Sequence, residues 1–161
     1  MNKSLEEKIA EILIEKNLTI TTVESCTGGL IASRLTDVSG SSAYLKQSFV
    51  TYSNEAKIKY AFVNPTTLEK YSAVSKQTVI EMATKILKNT DADVAISISG
   101  LAGPNSDESG KPVGLVYVCV ANAQKFKVGK FNLSYRERKQ MKFDFSEMAL
   151  KLLFEFLGNL V

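Results

Sequence analysis

The 161-residue sequence contains no histidine and no tryptophan, two cysteines and three prolines, and its 20 Lys and Arg exceed its 17 Asp and Glu by a formal charge of only +3. The missing imidazole excludes more chemistry than any residue present suggests. A Ser-His-Asp triad, a Cys-His dyad, a His-ligated zinc or iron centre and a His-based pH switch all fall away. An activated nucleophile must then use Lys, Tyr, Asp or Glu as its base. Cys26 and Cys119 are too few for a zinc cluster and too distant in sequence for a small disulfide scaffold, so a reduced compartment is the simpler reading and no metal or other cofactor is expected. No apolar run approaches the roughly 20 residues of a membrane span. The opening MNKSLEEKIAEILIEKN is charged at nearly every turn, unlike a signal peptide or anchor. A cytoplasmic protein without a membrane partner is expected. Lys125, Lys127, Lys130, Arg136, Arg138, Lys139 and Lys142 gather late in the chain, but the overall charge is too mild for a nucleic-acid surface. That run reads as a solvated face or an anion site.

With 45% hydrophobic and 23% charged residues the chain can bury a real core, and its length suits a single domain over residues 1–161. Ser4 and Glu7 form a capping-box pattern ahead of Leu5, Ile9, Ile12 and Leu13, predicting a helix to about Asn17. Thr19 to Val23 reads as a strand, followed by a tight turn through Glu24-Ser25-Cys26-Thr27-Gly28-Gly29 and a helix toward Asp37. Gln47 to Tyr52 reads as a strand and Asn54 to Lys59 as a helix capped by Ser53 or Asn54. Asn64-Pro65 opens a short helix, and Ser75 caps another whose apolar face is Val79, Met82, Ile86 and Leu87. Asp93 to Ser99, Gly114 to Ala121 and Lys125 to Leu133 read as strands, the last an exposed edge, and Arg136 to Leu157 as a final helix. This alternation predicts a three-layer α/β/α sandwich around a mixed, mostly parallel sheet of about five strands. The short Asn122-Ala123-Gln124 turn makes at least one strand pair antiparallel.

In such sheets ligands sit beyond the carboxyl ends of the strands, where three unusual stretches fall: Ser25 to Gly29, Tyr52 to Lys57 and Ser99 to Pro104. Gly28 and Gly29 permit close backbone approach to a phosphate or an oxyanion, or simply make a strand-to-helix turn. Ser25 is either a nucleophile set against the same amides or a helix cap. Lys57 is a candidate base if desolvation or a nearby cation lowers its pKa, and otherwise a surface lysine. Tyr52 could relay a proton or orient the lysine, or belong to the core. Cys26, lacking a His partner, reads as a small packing residue rather than a thiol nucleophile.

The motifs ESCTGG (Glu24 to Gly29), GSSAY (Gly40 to Tyr44), TYSNEAK (Thr51 to Lys57), AVS (Ala73 to Ser75), SGLAGP (Ser99 to Pro104) and KPVG (Lys111 to Gly114) together resemble the carboxy-terminal domain of the CinA competence/damage-inducible proteins, over essentially the whole chain. Stand-alone members of that family are nicotinamide-nucleotide amidohydrolases. The resemblance implies hydrolysis of nicotinamide mononucleotide to nicotinate mononucleotide and ammonia, with Ser25 as nucleophile, Lys57 as base and Tyr52 assisting. It further implies substrate contacts from Thr27, Gly28, Gly29, Asn54, Ser99, Gly100, Ala102 and Gly103, and a phosphate contact from Arg138. The family's Gly-Asp-Arg triplet at the start of its last helix reads Arg136-Glu137-Arg138 here, and Lys142 stands where a second Arg is usual. Arg138 keeps the guanidinium fork suited to phosphate, whereas Lys142 offers a point charge. The amino-terminal domain of longer relatives is expected to be absent, and a homo-oligomer, a dimer first of all, is expected. The alternative from another class is a non-catalytic module that binds a nucleotide or a partner in competence or DNA repair.

Overall fold

Helix starts in this chain are set by side chains that satisfy the first free backbone amides. The structure, a computed structural model, describes residues 2–160. In α1 (Leu5–Glu15) the capping box closes both ways: Ser4 Oγ accepts from Glu7 N at 3.2 Å and Ser4 N donates to Glu7 Oε2 at 2.7 Å. Ser53 caps α3 (Asn54–Ala61), Asn64 caps α4 (Pro65–Tyr71) and Ser75 caps α5 (Lys76–Lys88). The last helix, α6 (Arg138–Gly158), starts two residues later than its sequence pattern predicts, because the Glu137 side chain accepts from Lys139 N and makes Glu137 the cap.

Strands β1 (Ile20–Glu24), β2 (Leu45–Val50), β3 (Val94–Gly100), β4 (Leu115–Ala121) and β5 (Phe126–Asn132) form one sheet in the order β2-β1-β3-β4-β5. β1 pairs in parallel with β2 and β3, while β4 pairs antiparallel with β3 and β5, so β4 alone runs against the other four. β2 begins at Leu45, not Gln47, and stops at Val50; its register against β1 shifts between Ile20 and Thr21. On one face Ile20, Ile96, Ile98, Val116, Val118 and Val120 pack against α1, α6 and the short helix α2 (Leu30–Leu35). On the other, Val23, Ala95, Cys119 and Ala121 meet α3, α4 and α5. This is a three-layer α/β/α sandwich with a mixed, mostly parallel sheet. β3 and β4 are covered on both faces, which is why β4 is apolar throughout and β3 carries only small polar side chains, Ser97 and Ser99, among its apolar ones. Each fully buried aliphatic side chain contributes about 1.5–3 kcal/mol.

The topology brings five strand ends and four connections to one end of the sheet. Glu24 pairs with both Val50 and Ile98, so β1, β2 and β3 finish side by side. Reversed β4 starts there, Leu115 pairing with Asn132 at the end of β5, and the chain enters α6 from the same end. Gly114 makes the tight entry into β4 at φ +97°, where a Cβ would stand 1.9 Å from the Leu133 carbonyl oxygen. Arg34 of α2 locks the helices behind this end, donating to Glu6 Oε1 at 2.7 Å, to Ser146 Oγ at 2.8 Å and to Glu147, with its guanidinium 4.6 Å from the Phe143 ring centre. Among the described residues, no helix is long and apolar enough to cross a membrane.

Candidate active site

A cleft of about 260 Å³ opens at this end of the sheet. Its floor is the turn after β1. Ser25, 8% exposed, is held there by its own amide, which donates to Ile98 O at 3.2 Å, and by its carbonyl, which accepts from Gly28 N at 3.0 Å. α2 begins only at Leu30, with Gly29 at its cap in the left-handed region and the Ile31 and Ala32 amides taken by Glu24, so the Ser25 hydroxyl is not spent on the helix.

Lys57 comes from the first turn of α3 and points inward, 1% exposed. Its Nζ lies 2.9 Å from Ser25 Oγ, 2.8 Å from Thr51 O and 3.3 Å from Tyr52 O. As an ammonium it donates to all three. As a neutral amine it keeps two donations to the carbonyls and turns its lone pair toward the Ser25 hydroxyl. Burial is the main force on its pKa, lowering it from the ordinary 10.5 to about 8, with a weaker opposing pull from Cys26. Burial likewise pushes the Cys26 thiol up to about 12, so it stays protonated at neutral pH.

Ser99, Gly100, Ala102 and Gly103 form the opposite wall. Among the described residues, no backbone acceptor takes the amides of Ala102 or Gly103, which leaves these cleft donors for a ligand. Asn54 and Tyr52 stand at the rim. Tyr52 holds Lys57 through its backbone carbonyl; its phenol, 58% exposed in residue terms, instead accepts from Arg138 at 2.8 Å. Arg138 also donates to Gly103 O and so spans the mouth from one lip to the other.

Thr27, Gly28 and Gly29 do not line this cleft. All three border an adjacent groove of about 530 Å³ shared with Lys139, Lys142 and Phe143, while the Thr27 hydroxyl turns inward to donate to Glu24. Sequence reasoning passed over three contributors. Glu24 is fully buried and accepts four hydrogen bonds from the turn, α2 and β1. Asp107 reaches the cleft from the polar 104–112 loop. Lys111 pins that loop by donating to Tyr71 O, Ser72 Oγ and Val74 O. A glutamate directly before the candidate nucleophile, in a strand without another charge, was the available signal for the first.

The fold and the cleft together define an α/β/α domain with a buried serine–lysine pair at the carboxyl ends of its parallel strands. The family model for the CinA C-terminal domain matches residues 2–157, and the chain belongs to that family. It is 49% identical over 157 residues to a CinA-like protein of Chloroherpeton thalassium, covering 96% of this chain and 37% of that protein. It is 42% identical over 163 residues to a CinA-like protein of Chlorobium limicola, covering 98% and 38%. The chain thus spans little over a third of these curated relatives. Among solved structures, it matches the competence damage-inducible protein A (ComA) of Klebsiella pneumoniae with a TM-score of 0.93 at 33% identity, covering 98% of this chain and 97% of that one. The competence/damage inducible protein CihA of Agrobacterium tumefaciens matches with a TM-score of 0.89 at 34% identity, covering 99% and 98%.

Proposed function

We propose that this protein hydrolyses the carboxamide of nicotinamide mononucleotide to nicotinate mononucleotide and ammonia. The observation that carries the reading is the buried Lys57 Nζ at 2.9 Å from Ser25 Oγ with a pKa lowered to about 8. About a tenth of such lysines are neutral at pH 7, against fewer than about one in a thousand at the ordinary value. Neutral Lys57 takes the Ser25 proton as Oγ attacks the carboxamide carbon. The oxyanion is met by the free amides around the cleft. Lys57 then returns the proton to the departing nitrogen, which leaves as ammonia, and the nicotinoyl group, still carrying its ribose phosphate, remains as an ester on Ser25. A water deprotonated by Lys57 attacks that ester, the bond to Ser25 Oγ breaks, nicotinate mononucleotide leaves, and Lys57 returns the proton to Ser25 Oγ. Arg138 at the mouth supplies a fork for the 5′-phosphate. No step calls for a metal.

The direct test is ammonia release from the purified protein and nicotinamide mononucleotide, with and without chelator. Turnover is expected in wild type with and without chelator, none in folded Ser25→Ala, and most of it in Cys26→Ala. Ammonia from Ser25→Ala at the wild-type rate would end the assignment. Tight nucleotide binding without any ammonia would favour the non-catalytic module.

A further inference from the structure

Glu24 immediately precedes Ser25 and has no exposed surface. Its Oε1 accepts from Thr27 Oγ1 at 2.7 Å and Ile31 N at 2.9 Å, and its Oε2 from Thr22 Oγ1 and Ala32 N, both at 3.0 Å. No Lys or Arg among the described residues forms a salt bridge with it. Burying a carboxylate without a cation is costly, and a neutral Ser, Thr or Asn suffices to cap a helix. Something other than capping favours a carboxylate here.

The turn it grips supplies the reason. Gly28 and Gly29 both have positive φ, at +61° and +100°, and glycines leave a turn free to move unless something outside fixes it. Glu24 ties the middle of the turn, through Thr27, and the start of α2, through Ile31 and Ala32, back to β1. Its main chain reaches the other half of the pair: Glu24 O accepts from Thr51 N at 2.8 Å, and Thr51 O accepts from Lys57 Nζ at 2.8 Å. Ser25 and Lys57 are both referenced to this one residue.

We propose that Glu24 is a positioning residue that sets Ser25 Oγ against Lys57 Nζ, an inference that rests on Ser25 acting as nucleophile. Glutamine in its place is nearly isosteric yet cannot substitute. Each oxygen takes one backbone N–H, so either orientation of the amide points its NH₂ at a donor that cannot turn away.

The experiment compares wild type, Glu24→Gln and Thr27→Val, with folded fraction followed by circular dichroism. Two rates are measured per folded molecule: hydrolysis of nicotinamide mononucleotide, and phosphonylation of Ser25 Oγ by a fluorophosphonate with loss of fluoride, which needs no substrate. For Glu24→Gln, kcat and the labelling rate are expected to fall about 100-fold, the scale of an ångström-sized misplacement. KM is expected to stay within about threefold, since no substrate contact is removed. If both rates stay within about threefold of wild type per folded molecule, Glu24 is only a structural cap and the proposal is overturned. If Glu24→Gln does not fold, Thr27→Val decides, losing one of the four hydrogen bonds: about tenfold lower kcat at unchanged KM supports positioning, and unchanged rates overturn it. If wild type releases no ammonia, the amidase reading fails on its own and the labelling rates alone judge Glu24. Slower labelling in the variants supports the proposal, and equal or absent labelling in all three overturns it.

Discussion

Lys57 is where the fold's stability and its chemistry pull in opposite directions. Its pKa of about 8 in the folded chain, against 10.5 when exposed, means that the unfolded chain binds more protons between those values. Folding stability attributable to this group therefore rises as pH climbs from about 8 to about 10.5, and below about pH 8 the buried ammonium costs the fold on the order of 3 kcal/mol. Lys57→Met is accordingly expected to raise stability at pH 7 by about 1–3 kcal/mol while abolishing turnover, as urea titration at pH 7 and pH 10 would show, the gain shrinking at the higher pH. A Lys57→Met protein less stable than wild type at pH 7 would mean that the ammonium is comfortable where it sits. At this scale the sequence was informative chiefly through what it lacked: without a histidine, a lysine was among the few remaining bases. That Lys57 is buried while neighbouring Lys59 is exposed was not legible, because it depends on which face of α3 meets the sheet.

The ends of elements, more than their middles, place the site. α6 presents Arg138 at the cleft mouth only because Glu137 caps the helix and starts it there, a two-residue offset that helical periodicity does not resolve. The cap pairs Ser4/Glu7, Asn64/Pro65 and Ser75 were readable because capping is local chemistry; the β2 start at Leu45 was not, because an edge strand takes its register from its neighbour. Arg138→Ala is expected to weaken nicotinamide mononucleotide binding by about 1.5–3 kcal/mol, as for loss of a charged hydrogen bond, and to leave binding of the unphosphorylated riboside nearly unchanged. Isothermal titration on a Ser25→Ala background would measure both without turnover. Equal losses for the two ligands would assign Arg138 to bracing Tyr52 and Gly103 instead.

At the scale of the whole molecule, the alternation of strands and helices made the sandwich legible, and the short turn after Ala121 announced one antiparallel pair. The reversal of β4 against β3 was not announced, since the long 101–114 connection suits either direction, yet that reversal brings α6 to the same end as Ser25. Thr27 to Gly29 illustrate the same limit: their motif draws them to the nucleophile, but the turn sends the glycines to the next groove. The convergence at one sheet end turns three separate loops into a single cleft, and the proposed function turns on Lys57 as the base within it. The most direct measurement is the pH dependence of kcat/KM for nicotinamide mononucleotide in wild type and Lys57→Arg. The wild-type rate is expected to rise through a single ionisation near pH 8 and then level, and Lys57→Arg, whose guanidinium stays protonated, is expected to be inactive throughout. A wild-type profile flat from about pH 6 to about pH 10, or near-full turnover in Lys57→Arg, would contradict it.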